Sequence, residues 1–385
     1  MPRRPTKKRT GPIRKKARHL DRGLRLALAG LFLAAFLVVS LVFLGEVETR
    51  KETPPPVTVQ QVDLDDLRSD VRVELEGAML RSGISSEQLV FEIKGGIEWF
   101  IIDAAVLPQA QIEHLRRRLQ YLDPDFNLQQ SRSGEYVVFR GQQAWFGLLL
   151  RPEKELPPPG PAVATGRMAI VMDDLGRSLS TARRLLAIDL PVTLAIMPGT
   201  ENAARVATMA HRKGREVIIH LPSEPIGYPD VNPGSNALLV RNDREQIQRR
   251  LLGYLEQVPY AVGGNNHMGS RFTADEAGME ALLSGMSREG MFFLDSRTSG
   301  ATVAEKVAKL VGIPFLARDV FLDNEQDVGL IREQIEKAVR LARRRGEAIA
   351  ICHPYPETLQ ALEGIGPFLD REQIEVVPLS ALLHR

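Results

Sequence analysis

From Met168 onward, short apolar runs alternate with stretches of helical period. The runs are Met168 to Met172, Val192 to Met197, Glu216 to Ile219, Tyr260 to Gly263, Met291 to Leu294, Phe315 to Phe321, Ala348 to Cys352 and Glu375 to Val377. Between them, Asn202 to Lys213, Arg244 to Gln257, Ala274 to Glu289 and Gln326 to Arg345 carry apolar residues at three- and four-residue spacing. A strand is apolar in short runs and a helix on one face, so this alternation predicts repeated β-α units and a parallel sheet. Such a sheet is either open and doubly wound or closed as a barrel, and in both cases ligands bind at the C-terminal ends of the strands.

Upstream the rhythm differs. A helical pattern from about Leu64 to Leu80 precedes a strand-like run at Trp99-Phe100-Ile101-Ile102. A second helix, about Gln109 to Leu122, leads into alternating strands near Tyr136 to Phe139 and Ala144 to Leu150. This is the pattern of a small α+β domain. It offers no catalytic constellation, and His114, on a helix beside three arginines, is expected to be a solvated surface residue. Thr53-Pro54-Pro55-Pro56 and Pro157-Pro158-Pro159-Gly160-Pro161 read as stiff spacers, because proline holds the chain extended. The expected divisions are 1–25, 26–45, 46–56, 57–150, 151–166 and 167–385.

The first two divisions carry the address. Leu26 to Gly45 are 20 uncharged residues with Ser40 the only polar side chain. As a helix they would span about 30 Å, the thickness of a bilayer core. The run is longer than a secretory signal's and Glu46-Val47-Glu48-Thr49-Arg50 offers no small-x-small cleavage site, so an uncleaved anchor is expected. Composition changes this picture only through its distribution. Of 50 Lys/Arg and 48 Asp/Glu, the first 25 residues hold 11 and one, leaving 39 against 47 for the rest. A basic segment ending on an apolar span sets topology, keeping the tip in the cytoplasm and carrying the remainder outward, which in a Gram-negative bacterium is the periplasm. An acidic body argues against nucleic acid as a partner. The single cysteine, Cys352, excludes an intramolecular disulfide.

The strand-exit rule then locates chemistry. The first strand ends in Asp173-Asp174, the third in His220, the fourth in Asn265-Asn266-His267, the fifth in Asp295 and the seventh in His353. Adjacent acids can cap a helix, but one can also bind a metal ion while the other takes a proton from water. His220 and His267 are candidate metal ligands, against the alternatives of a core histidine and a plain polar loop. Asn265 and Asn266 are candidate substrate contacts, since amides can hold a sugar hydroxyl. Asp295 either joins the site or pairs structurally with Arg297, and His353 is well placed as a general acid.

The order and spacing of these motifs resemble the polysaccharide deacetylases. Ala169-Ile170-Val171-Met172-Asp173-Asp174-Leu175-Gly176 looks like the family's first motif. Ile219-His220-Leu221-Pro222, Asn265 to Ser270, Phe293-Leu294-Asp295-Ser296 and Ile351-Cys352-His353-Pro354 look like its divergent, YibQ-like branch. The resemblance covers about Arg167 to Leu383 and implies a distorted (β/α) barrel of seven or eight strands. It also implies removal of N-acetyl groups from a polysaccharide or peptidoglycan-type glycan with a divalent metal, zinc expected. Carried over, Asp173 matches the catalytic base, Asp174 and His220 match metal ligands, and His353 matches the general acid. The main family has a second histidine four residues after the first, where this chain has Glu224. Either Glu224 or His267 completes the ligand set, with His267 favoured as an imidazole. An Arg-Pro-Pro-Tyr-like stretch of the main family is missing. The alternative expectation is therefore a degenerate barrel that binds glycan or scaffolds the envelope without turnover.

Overall fold

The computed structural model describes residues 64–82, 84, 89–103, 107–132, 134–151 and 166–383. The basic tip, the apolar span 26–45, the first spacer and nearly all of the second lie outside the described residues. From Leu64 onward the chain forms one compact unit built on two sheets.

The first sheet comes from α1 (Leu64–Arg81), β1 (Leu89–Lys94), β2 (Ile97–Asp103), α2 (Gln109–Leu122), β3 (Phe126–Arg132), β4 (Glu135–Arg140) and β5 (Gln143–Arg151). Its strand order is β1-β2-β5-β4-β3, antiparallel except for β2 beside β5. Leu67, Val71, Leu75, Ala78 and Met79 recur along one face of α1 and are buried with Leu115 and Leu119 of α2 and Phe100, Phe126 and Phe146 of the sheet. Sequence periodicity finds both helices and three of these strands. It misses β1 and β3, whose burial is confined to one or two residues each and whose apolar signal is therefore thin.

The second sheet is wholly parallel. It comprises β6 (Gly166–Leu175), β7 (Thr193–Ile196), β8 (Val217–Ser223), β9 (Gly263–Met268), β10 (Phe292–Asp295), β11 (Phe315–Ala317), β12 (Val320–Phe321), β13 (Glu347–Cys352) and β14 (Ile374–Val376). Around it lie α3 (Leu179–Ala187), α4 (Ala203–Arg212), α5 (Arg244–Gln257), α6 (Glu276–Arg288), α7 (Ala304–Val311), α8 (Val328–Arg345), α9 (Pro356–Leu362) and α10 (Gly366–Arg371). The order is β11-β10-β9-β8-β7-β6-β13-β12, with β14 also on β6.

Two features show that this sheet is curled rather than flat. β11 and β12 are its opposite ends, yet only Arg318 and Asp319 separate them in the chain. At about 3.3 Å per residue such a link spans roughly 10 Å. The Arg318 amide donates to the Asp295 carbonyl and the Asp319 amide to Ile349, so the link is held to both sides. The barrel expected from the sequence is thus a curled sheet whose end strands do not pair with each other. The run Phe315 to Phe321, expected as one strand, is divided between the two ends.

A further difference lies in β9. The run expected at Tyr260 to Gly263 stops where the strand begins, and the stretch expected as a loop is the strand itself. Gly-Gly-Asn-Asn has weak strand propensity, but close packing demands it: a Cβ on Gly263 would lie 2.7 Å from the Phe292 ring.

The two sheets' units meet through polar side chains. Tyr121 of α2 donates to Glu256 of α5 at 3.1 Å, and His114 lies 3.5 Å from Glu289 beyond α6. This overturns the expectation for His114, which is 2% exposed. The three arginines beside it suggested a wet face, but the barrel unit docks on that face. Burial, reinforced by the positive charges of Arg81, Arg118 and Arg117, pushes the His114 imidazole down to about 3 and keeps it neutral.

Candidate active site

Met168 to Met172 fill the middle of the curled sheet, so β6 delivers the next two residues to its open end. There the β6–β7 register shifts between Met172 and Leu175, and Asp174 adopts a left-handed φ of 56°. This bulge adds a residue and re-aims the side chains, so the adjacent aspartates occupy different environments. Asp173 is 3% exposed and the Asp174 side chain 37%. The energetic cost of a non-glycine residue at such a φ is of order 1 kcal/mol or more, and such strain gathers at functional sites.

His220, at the centre of β8, is opposite Asn265 of β9 in the strand register, and Pro222 is opposite His267. Three ligand atoms meet in front of them. Asp174 Oδ1 is 3.2 Å from His220 Nε2 and 3.0 Å from His267 Nδ1, and the two imidazole nitrogens are 3.1 Å apart. Three donors around one zinc ion with bonds of about 2.0–2.1 Å would lie roughly 3.3–3.4 Å apart, close to this triangle. Asp174 Oδ1 is buried and has no hydrogen-bond partner, despite its nearness to two ring nitrogens. Its position suits lone pairs converging on a cation better than a shared proton. The donor set, one carboxylate and two imidazoles, fits a divalent metal.

Burial alone would raise the Asp174 pKa, but the two imidazoles beside it outweigh burial and hold it far below the usual carboxylate range. For Asp173, burial dominates and pushes the carboxyl up, despite the opposing influence of His220 and His353. His220 is lowered by burial and raised more strongly by Asp173 and Asp174.

Across the site, His353 leaves β13 with Nε2 4.0 Å from Asp174 Oδ2. Its Nδ1 lies 3.1 Å from Asp323 Oδ1 and its backbone N–H donates to Asp323 Oδ2 at 2.6 Å. Thr358 Oγ1 donates to the same oxygen at 2.7 Å. The His353 pKa is lowered by burial and raised more by its hydrogen bond to Asp323 and the charge of Asp173. Sequence reasoning missed Asp323. Its signal was available, since it stands just past the strand run that ends at Phe321, as the other strand-exit residues do.

The remaining candidates do other work. Glu224 is buried but turned aside: Oε1 accepts from Arg271 at 2.9 Å and Oε2 from the Val240 amide at 2.7 Å. Of the two residues offered as third ligand, His267 is therefore the one beside Asp174 and His220. Asn266 accepts from the Ser296 amide and donates to the Met268 carbonyl, which ties β9 to the segment just after β10. Asp295 accepts from the Arg297 amide and the Thr302 hydroxyl, a turn-stabilising role with no side-chain pair to Arg297 among the described residues. Asn265 is 0% exposed and donates to Asp173 Oδ1 at 2.9 Å. Strands β6 and β9 are three places apart, about 14 Å in a flat sheet, so this bond also records the curl.

Comparison with known proteins agrees with these features. The family model for divergent polysaccharide deacetylases matches residues 170–383. Uncharacterised YibQ of Escherichia coli K12 is 38% identical over 222 residues, covering 58% of this chain and 69% of YibQ. An uncharacterised Haemophilus influenzae protein is 36% identical over 200 residues, covering 52% and 71% respectively. The crystal structure of an uncharacterised Agrobacterium tumefaciens protein superposes with a TM-score of 0.55 at 30% identity, covering 58% of this chain and 92% of that one.

Proposed function

Because the chain belongs to the divergent polysaccharide deacetylase family, we propose that it is a metal-dependent hydrolase that removes N-acetyl groups from an envelope glycan. The observation that carries this reading is the triangle of Asp174 Oδ1, His220 Nε2 and His267 Nδ1, with Asp173 behind it and His353 across from it. Asp174, His220 and His267 would hold a divalent cation, which when bound would supply Lewis-acid polarisation of the acetyl carbonyl.

The protein's own groups then divide the proton transfers. Asp173, whose carboxyl is made more basic by burial, takes a proton from the attacking water as the new C–O bond forms. His353, held by Asp323 through Nδ1, gives a proton from Nε2 to the amine nitrogen as the C–N bond breaks. Acetate and a free amine leave. Both pKa values are raised, that of Asp173 by burial and that of His353 by Asp323 and Asp173 against burial, which makes the carboxylate a stronger base and favours the protonated imidazole as acid.

The apolar span at residues 26–45 with its basic flank supports anchoring in the cytoplasmic membrane with the catalytic unit in the periplasm. A glycan-binding scaffold without turnover is the competing reading. His267 beside Asp174 and His220 favours turnover, since the histidine missing at position 224 has a neighbour-strand counterpart. The test is acetate release from N-acetylated glucosamine oligomers and peptidoglycan by the full chain, with divalent metal measured in the same preparation. Stoichiometric metal and acetate release abolished in Asp173→Asn are expected. A protein that binds no divalent metal, or binds glycan and releases no acetate, defeats the reading.

A further inference from the structure

Asn265 is fully buried between the two halves of the site, and its amide nitrogen and amide oxygen are both engaged. Its Nδ2 donates to Asp173 Oδ1 at 2.9 Å and to Ser296 Oγ at 3.1 Å, and its Oδ1 lies 2.9 Å from His220 Nδ1. The orientation of this amide is dictated by chemistry. An ionised carboxylate only accepts hydrogen bonds, so the amide must turn its NH2 toward Asp173 and its oxygen toward His220. The oxygen in turn requires a proton on His220 Nδ1. That leaves the lone pair on Nε2, the atom 3.2 Å from Asp174 Oδ1 and 3.1 Å from His267 Nδ1.

We propose that Asn265 is the positioning residue that couples Asp173 to the ligand triangle, fixing the His220 tautomer with one end and the Asp173 carboxylate with the other. This rests on the deacetylase reading and adds to it a shared control point for metal affinity and turnover. Asn265 acts through its neighbours and touches neither substrate nor cation. The sequence offered it as a substrate contact, but it is sealed from solvent. Ser296 belongs to the same device, since its hydroxyl takes the second amide proton and its own backbone N–H is held by Asn266.

Two substitutions in the full chain separate the two ends. Asn265→Leu keeps the approximate volume and removes both interactions; zinc affinity, measured by competition with a chromophoric chelator, is expected to fall about 10- to 100-fold. Asn265→Asp retains an acceptor for His220 but replaces the amide donor to Asp173 with a second buried carboxyl, so that the two must share one proton and Asp173 is no longer free as a base. It is expected to hold zinc near the wild-type affinity while turnover at saturating zinc falls about 100-fold or more. Wild-type zinc affinity in Asn265→Leu would overturn the His220 coupling, and wild-type turnover in Asn265→Asp would overturn the Asp173 coupling. If the leucine variant fails to fold, the near-isosteric aspartate variant still decides: joint loss of affinity and turnover contradicts separable ends. Absence of zinc binding by the wild type defeats the parent reading instead, and is visible before any variant is made.

Discussion

Glu76 Oε2 lies 2.6 Å from Nε2 of His211, joining a helix of the first unit to a helix of the parallel-sheet unit. The second Glu76 oxygen accepts from Arg72 at 2.9 Å, and the His211 ring stacks on Tyr260 with centroids 3.9 Å apart. Tyr260 carries a left-handed φ of 66°, a conformation unusual for a bulky side chain. A carboxylate from one unit thus orders an aromatic stack on the other.

Breaking that pair strands a buried partner. The two side chains are only 7% and 13% exposed, so Glu76→Ala is expected to destabilise the chain by about 3 kcal/mol. Urea unfolding of the two proteins measures this. A midpoint equal to the wild type's would mean that the contact is not formed in solution.

His114 predicts an acid limit on stability. Its folded-state pKa is about 3, below the value of about 6.5 expected when unfolded. The unfolded chain takes up this proton first, so the contribution is complete above about pH 6.5 and is lost progressively as pH falls toward 3, by up to about 1.4 kcal/mol per pH unit. His114→Gln should flatten the pH dependence of the unfolding free energy over that window; an unchanged slope contradicts a buried neutral imidazole.

Zinc should stabilise the chelator-treated protein through the triangle. At a free concentration of 100 times Kd the gain is about 2.7 kcal/mol, read as a raised unfolding midpoint. His267→Ala should lose most of this gain, whereas Glu224→Gln should keep it. The reverse pattern would make Glu224 the third ligand.

Asp323 is expected to matter for turnover and little for metal. Asp323→Asn leaves the backbone N–H and Nδ1 of His353 without their carboxylate, and acetate release should fall about 100-fold or more. Zinc affinity, measured alongside, should stay at the wild-type value; a parallel loss would point to general collapse of the site.

Much of this architecture was legible because its signals are local. The runs at Met168, Val192 and Ala348 are too apolar and too short for anything but buried strands, and the strand-exit rule located Asp173, Asp174, His220, His267 and His353. The failures share a physical cause. β9 is a strand by virtue of what packs against Gly263, and His114 is buried by a surface more than 100 residues away in the chain. Glu224 matched the position of a ligand in the sequence, yet Arg271 and the Val240 amide claim its oxygens. Tertiary partners decided each of these, and no window of sequence contains them.

The two-residue link at Arg318-Asp319 has a mechanical meaning. A sheet whose end strands merely lie near each other can gape along the seam, as a cut ring does. Here the covalent chain crosses the cut: Arg318 holds the Ser296 and Arg297 carbonyls on the β10–β11 side, and Asp319 accepts from the Ile349 amide on the β13 side. The ring is a hoop under a clasp, unable to widen sideways. Severing the backbone after Arg318 would free the hoop without removing any side chain of the site.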